Sequence, residues 1–339
     1  MRPPVTVLTR PPAWLGGGTH VRQMVDTVRA HGYDGDRVVV VGTLRGGAAD
    51  LRLPAGLTNR LGDRALRAVG SLLWRGRCVH RISIDIPPAR DEIVSFLDLA
   101  PLHFPDEGVL PRTLTDQARR ARGVVVSTRT IADEVRSELG VERTWLLPPA
   151  VGDRFFTQHA PAAYSQRPYV LHVGGATTRK GLSSLAAAWP AVRANEPELE
   201  LVMVGPAHQT GRDRLVSLDG VRWVGQLGDD AVQDLMAGAR AVVVPSIYEG
   251  FGMPVAESLA MGTPVMVRAG TAPAEVGGAV AFSAASGHAD DVAEAVLKAS
   301  GAREREPERL ALGVKLAQRW SVQETARMQM QVYREAFGS

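Results

Sequence analysis

The chain has 339 residues, 45% of them hydrophobic and 22% charged, which is the balance of a soluble globular protein with material for about two domains and excludes a disordered or fibrous chain. A formal charge of +3 over this length forms no basic block of the kind that binds nucleic acid, and the lone Cys78 excludes an internal disulfide framework and a thiolate zinc cluster. No apolar run approaches the roughly 18 residues of a spanning helix, and Pro3 and Pro4 interrupt the N-terminus before a signal-peptide core forms, so a soluble, cytoplasmic protein is expected.

Short β-branched runs alternate with segments of helical period along the chain. Residues 5–8 read as a strand, followed by the loop Gly16-Gly17-Gly18 and a helix over 19–31. A strand follows at 37–41, and the spacing of Leu61, Ala65, Leu66, Val69, Leu72 and Leu73 predicts a helix within 59–75. Further strands are expected at 92–97, 123–126 and 143–147, with helices between them. Pro148, Pro149 and Pro161, with little periodicity over 156–168, mark a linker. A second series begins with a strand at 169–173 and continues with strands at 199–204, 221–224, 240–244 and 264–267. Helical segments at 290–300, 306–318 and 322–337 close the chain. Such alternation implies parallel sheets with helices on both faces. The expected architecture is therefore α/β, with two doubly wound domains facing across a cleft: residues 1–155, a linker at 156–168, residues 169–319, and a last helix at 320–339.

Several common motifs are incomplete. The triple glycine fails as a dinucleotide fingerprint because Val21 holds the third glycine position. Arg179-Lys180-Gly181 lacks the preceding glycine and the following Ser/Thr of a phosphate loop. Neither H-E-x-x-H nor G-x-S-x-G occurs. Asp34-Gly35-Asp36 has the form of a D-x-D metal site, but it stands between a helix and a strand, where a polar turn is expected.

The informative stretch runs from Pro245 to Val265. It reads as a strand, a glycine-bearing loop, a helix opened by Pro254, a stop at Gly262 and another strand. Backbone N–H groups around Gly252 and Met253, backed by the helix dipole, suit an anion. Glu249 before the helix and Glu257 within it are carboxylates of the kind that hold sugar or ribose hydroxyls, although two isolated glutamates at this spacing also read as solvated surface charges.

As a whole, P-S-x-x-E-G-F-G-x-P-x-x-E-x-x-A-x-G-T-P-V closely resembles the E-x7-E signature of family 4 glycosyltransferases, a retaining family with the GT-B fold of two Rossmann-like domains. His172 through Leu182, with its Arg179-Lys180-Gly181, resembles the family's strand–loop–R-K segment, and Glu275-Val276-Gly277-Gly278 resembles the turn after the signature helix. Residues 98–106 and 147–151 are similar to segments of the family's N-terminal domain and linker, and residues 320–337 to a last helix that packs back on that domain. The resemblance spans most of the chain and is strongest over 169–278.

The resemblance implies transfer of a sugar, with retention, from a nucleoside-diphosphate sugar to an acceptor it does not identify. Glu257 would hold the ribose, while Glu249 and the Phe251, Gly252 and Met253 backbone would contact the transferred sugar. Arg179 and Lys180 would neutralise the diphosphate, Leu227 would lie against the base, and Gly17 and Gly18 would admit the phosphates closely. Glu249, Lys180 and Asp98 form the implied catalytic set, with no cofactor and no metal, because side-chain cations and a helix N-terminus can stabilise the departing diphosphate. Leu97 stands where the family carries a histidine before Asp98, and Gly175 where many members carry arginine; His103 is either a substitute imidazole or a packing residue. These departures leave an alternative, a catalytically impaired nucleotide-sugar-binding protein. Arg60, Arg64, Arg67 and Arg75, beside Leu72, Leu73 and Trp74, suit an anionic acceptor or peripheral membrane contact, but an amphipathic surface helix is the plainer reading.

Overall fold

The computed structural model describes residues 3–10, 18–32, 35–44, 49–54, 57–110, 113–157, 167–206, 215 and 217–338. The chain divides into two units, one of Met1–Leu102, Gly108–Ala150 and Val322–Ser339, the other of His103–Glu107 and Val151–Ser321. The sequence places this boundary at 155/156, but Val151 bridges to Ser321 and Phe155 packs into the second unit's core, so the division falls at Ala150.

The first unit carries strands β1 (Val5–Thr9), β2 (Arg37–Thr43), β3 (Leu51–Leu53), β4 (Cys78–Arg81), β5 (Glu92–Phe96), β6 (Val124–Val126) and β7 (Thr144–Leu146). They form one parallel sheet in the order β3-β2-β1-β4-β5-β6-β7, so strand order reverses between β1 and β4. Val5, Val7, Ile93 and Val125 share one core cluster, while Leu8, Val41 and Val79 share another, as expected for a sheet covered by helices on both sides. The short edge strand β3 and the central strand β4 are additions to the sequence reading.

Two polar residues of β4 are buried, and each is answered. The Arg81 guanidinium meets the Glu92 carboxylate in a two-pronged pair at 2.9 and 2.8 Å. His80 places Nδ1 2.8 Å from the Tyr333 hydroxyl and Nε2 2.7 Å from Ser95 Oγ. Tyr333 lies on the helix Val322–Phe337, which belongs to the first unit, as the family resemblance implies. From the same helix, Gln329 Nε2 donates to the Tyr333 hydroxyl at 2.9 Å and to the Met24 carbonyl at 3.1 Å.

The second unit holds β8 (Tyr169–Val173), β9 (Glu200–Val204), β10 (Val221–Gly225), β11 (Ala241–Val244), β12 (Val265–Arg268) and β13 (Phe282–Ala284), parallel in the order β10-β9-β8-β11-β12-β13. Alternate residues serve opposite layers. Val170, Leu201, Met203 and Val243 pack toward helices Leu182–Asn195 and Ala289–Ser300, while Leu171, Val202, Val204 and Val242 pack toward Asp229–Gly238 and Met253–Ala260. Strand order reverses between β8 and β11, the position where open α/β sheets bind ligands beyond their strand ends.

Replacing Tyr333 by Phe removes the hydroxyl that serves both His80 and Gln329 inside the first unit. Chemical denaturation should show that unit weakened by about 1–3 kcal/mol, the usual cost of stranding buried polar groups.

Candidate functional site

The loops leaving β8 and β11 meet at this reversal. After β8 the chain makes a short 3-10 turn, Thr178–Lys180, and Gly181 follows at φ 67°. A side chain there would place its Cβ 2.1 Å from the Pro245 carbonyl, so glycine alone lets the two loops touch. Ile247 N then donates to the Arg179 carbonyl at 2.8 Å, fixing the loop after β11 to the turn.

Glu249 sits at the centre of this junction with its side chain 11% exposed. Lys180 Nζ donates to Oε1 at 2.5 Å, Arg179 Nη1 to Oε2 at 2.7 Å, and Ser246 Oγ to Oε1 at 2.9 Å. Burial alone would raise the Glu249 pKa, but the Lys180 and Arg179 charges, with hydrogen bonds from Lys180 and Ser246, outweigh it and hold the group below the usual carboxylate range. Glu249 is therefore an ionised acceptor at neutral pH.

The other acidic partners come from residues 103–107. Glu107 Oε1 accepts from Arg179 Nε at 2.7 Å, and Asp106 Oδ2 accepts from Thr178 N at 3.0 Å. His103 and Phe104 pack on the Tyr248 ring at 5.5 and 5.7 Å between centroids. Beneath the cluster, buried His172 on β8 donates from Nδ1 to the Val243 carbonyl on β11 at 3.0 Å. Burial is the main cause that lowers its pKa to about 4, so it is neutral and Nε2 keeps its lone pair. That nitrogen has no hydrogen-bond partner among the described residues and lies 3.6 Å from where a Gly174 Cβ would stand.

Glu257 is a contrast. It is half-buried on the helix Met253–Ala260, and desolvation raises its pKa to about 7, with Arg154 opposing the rise and Asp229 adding to it. Gly252, at φ 94°, precedes this helix and sets Met253 at its first position with Pro254 behind, as the sequence predicts. The Phe251 ring is buried edge-on to Trp320 at 5.6 Å, so its backbone faces the loop while its side chain serves the core. Leu227, after β10, is partly buried against the same core.

The structure thus brings Arg179, Lys180 and Glu249 together in the second unit, with Gly252 and Met253 opening the helix that follows the Glu249 loop. Asp98 belongs to the first unit, where its Oδ1 accepts from Ala100 N at 3.0 Å and starts a short helix, and Leu97 is half-buried against that unit's core. Gly18 begins the helix Gly18–His31; Gly17 lies outside the described residues. Of the D-x-D pair, Asp34 is likewise outside them, while Asp36 Oδ1 accepts from Val5 N at 2.7 Å, the work of a turn residue. Sequence reasoning missed Glu107, Asp106, Ser246 and His172. Asp106 ends the family-like 98–106 segment with Glu107 next to it, and Ser246 and His172 lie within the other family-like segments.

Residues 167–301 match the family model described as glycosyl transferases group 1. The match supports a family 4-like glycosyltransferase relationship. An MMP alpha-(1->4)-mannosyltransferase of Mycolicibacterium hassiacum is 28% identical over 169 residues, covering 47% of this chain and 40% of that protein. The chain spans less than half the length of this and the other curated relatives it matches. Among solved structures, sucrose-phosphate synthase from Thermosynechococcus elongatus aligns with a TM-score of 0.73 at 20% identity, covering 99% of each chain. Anabaena Alr3699/HepE, in complex with UDP and glucose, aligns with a TM-score of 0.71 at 16% identity, covering 98% of each. These likenesses show the GT-B fold. No helix among its described residues is long and apolar enough to cross a membrane.

The Glu257 shift has a signed consequence. Its folded-state pKa is raised, so the stability linked to its proton is present below about pH 4.5 and lost as pH rises through about 7. Glu257→Gln should flatten that decline, so that thermal unfolding at pH 8 shows the variant gaining on the wild type relative to pH 5.

Proposed function

We propose that the chain transfers a hexosyl group from a nucleoside-diphosphate sugar to an acceptor, with retention and without a metal ion. The observation that carries this reading is the Glu249 carboxylate held by Lys180 and Arg179 beside a helix N-terminus at the strand-order reversal. The mannosyltransferase names of several relatives support a hexosyl donor, and the UDP and glucose of one structural neighbour support a nucleotide sugar.

In this mechanism the bond between the anomeric carbon and the diphosphate oxygen breaks as charge builds on the β-phosphate. Lys180 has three N–H donors, and Glu249 takes one of them among the described residues, so two remain for phosphate oxygens. Arg179 and the Gly252–Met253 backbone add positive potential from the same side. Glu249, ionised and fixed, accepts from sugar hydroxyls and orients both cations. The acceptor hydroxyl attacks the face the diphosphate leaves, its oxygen bonds to the anomeric carbon, and its proton passes to the departing phosphate oxygen. Glu257 holds the ribose hydroxyls as an acceptor, so nucleotide binding draws off its proton.

A second reading, a nucleotide-sugar-binding protein with impaired chemistry, rests on Leu97 packing against the first unit's core rather than supplying an imidazole. A thermal-shift panel of UDP, GDP, ADP and dTDP hexoses separates ligand from non-ligand, since one at 100 times its Kd adds about 2.7 kcal/mol of stability. Chromatographic detection of slow donor hydrolysis then separates the two readings. Stabilisation by none of the four would reject both.

Two sets of variants test the roles. Glu257→Ala should weaken calorimetric binding of the free nucleoside diphosphate, whereas Glu249→Ala should spare it and reduce transfer; equal losses would refute the division. Lys180→Ala should lower turnover by about 10²–10³-fold, and EDTA should leave the wild-type rate unchanged, with chelation followed by magnesium rescue counting against the metal-free mechanism.

A further inference from the structure

Leu97 and Asp98 follow the carboxyl end of β5; at the amino ends of β4, β5 and β6 the same sheet carries a separate basic cavity. Arg75 and Arg77 lead into β4, Arg90 leads toward β5, and Arg122 toward β6, and all four line a space of about 780 Å³. A second space of about 260 Å³ shares Ser71 and Arg90 with it. Strands of this length separate these amino ends from Leu97 by roughly 15 Å.

Some arginines around these cavities are neutralised. Arg122 pairs with Asp91, and Arg67 and Arg120 share Asp63 at 3.1 and 2.5 Å. Arg75, Arg77 and Arg90 have no ion-pair partner among the described residues, and Arg75 and Arg90 are exposed. Three guanidinium groups around one concavity repel each other, and an anion between them removes that repulsion. Their planar forks suit phosphate oxygens.

The smaller cavity supplies an independent sign of a ligand. Gln117, which lines it, is 3% exposed and donates from Nε2 to Thr113 Oγ1 at 2.6 Å. Its Oε1 is buried with no hydrogen-bond partner among the described residues. A buried carbonyl oxygen left in this way calls for a donor, and a ligand hydroxyl is a donor of the right size.

We propose that the two cavities form one site for a phosphate-bearing polyol, with the phosphate on Arg75, Arg77 and Arg90 and a hydroxyl donating to Gln117 Oε1. The site is built wholly from first-unit residues and shares none with the Glu249 cluster. A soluble polyol phosphate and a phospholipid headgroup share this chemistry. In the second case Leu72, 79% exposed beside Ser71, enters the apolar layer.

Calorimetric titration of the full chain with glycerol 3-phosphate and with inorganic phosphate tests the proposal, alongside sedimentation with phosphatidylglycerol and phosphatidylcholine vesicles. The double variant R75A/R90A should weaken glycerol 3-phosphate binding at least tenfold, and Arg75→Gln alone should give an intermediate loss. Gln117→Leu should weaken glycerol 3-phosphate more than inorganic phosphate, and Lys180→Ala should change neither. Binding in solution supports the soluble source. Binding only to phosphatidylglycerol vesicles, lost in R75A/R90A and in Leu72→Asp, supports the headgroup. Curves for a folded R75A/R90A that superimpose on the wild type, by circular dichroism as the folding control, overturn the proposal. So does loss of the binding heat in Lys180→Ala, which assigns the phosphate to the other unit.

Discussion

A buried carboxylate stays ionised only where cations stand against it, and the second unit's loops are arranged around that requirement at Glu249. Lys180 and Arg179 reach it from the loop after β8, Ser246 from the loop after β11, and Glu107 completes the charge balance on Arg179. Gly181 permits the close approach, and backbone bonds from Ile247 and Tyr248 to the Arg179 carbonyl preserve it. Removing one partner would leave an uncompensated charge, whereas apolar residues of similar volume would pack without that liability. The arrangement is therefore poorly explained by stability alone.

Glu249 and Glu257 show how one residue type acquires two characters within one motif. The first faces two cations and is held ionised; the second is desolvated by burial, with Arg154 opposing only in part, and keeps its proton to about pH 7. At neutral pH the first is a fixed acceptor, and the second changes between donor and acceptor as its surroundings change.

Where hydrophobic periodicity was strong, the sequence exposed the fold: β8, β9, β11 and the helix Val322–Phe337 lie where apolar spacing puts them. It concealed β4, because His80 and Arg81 occupy half of that strand and look solvent-facing until Glu92, Ser95 and Tyr333 are beside them. Those partners lie up to 253 positions away, beyond any local pattern. The same reason divides the site. Arg179, Lys180 and Glu249, which the structure brings together, sit in contiguous motifs and are legible, whereas Glu107 reaches Arg179 across 72 positions of chain. Gln117 and Arg90 carried no signal at all, because a cavity wall has no sequence period.

The return of the last helix to the first unit has a consequence for how the protein is made. A ribosome delivers β1 through β7 first, yet His80 and Met24 lack Tyr333 and Gln329 until the whole intervening unit has been translated. At 5–20 residues per second that interval is roughly 10–30 s. During it, the apolar face destined for Met330, Val332 and Phe337 stays open to water or to a chaperone. The second unit, continuous apart from residues 103–107, can close as it emerges. The half synthesised first is thus the half completed last.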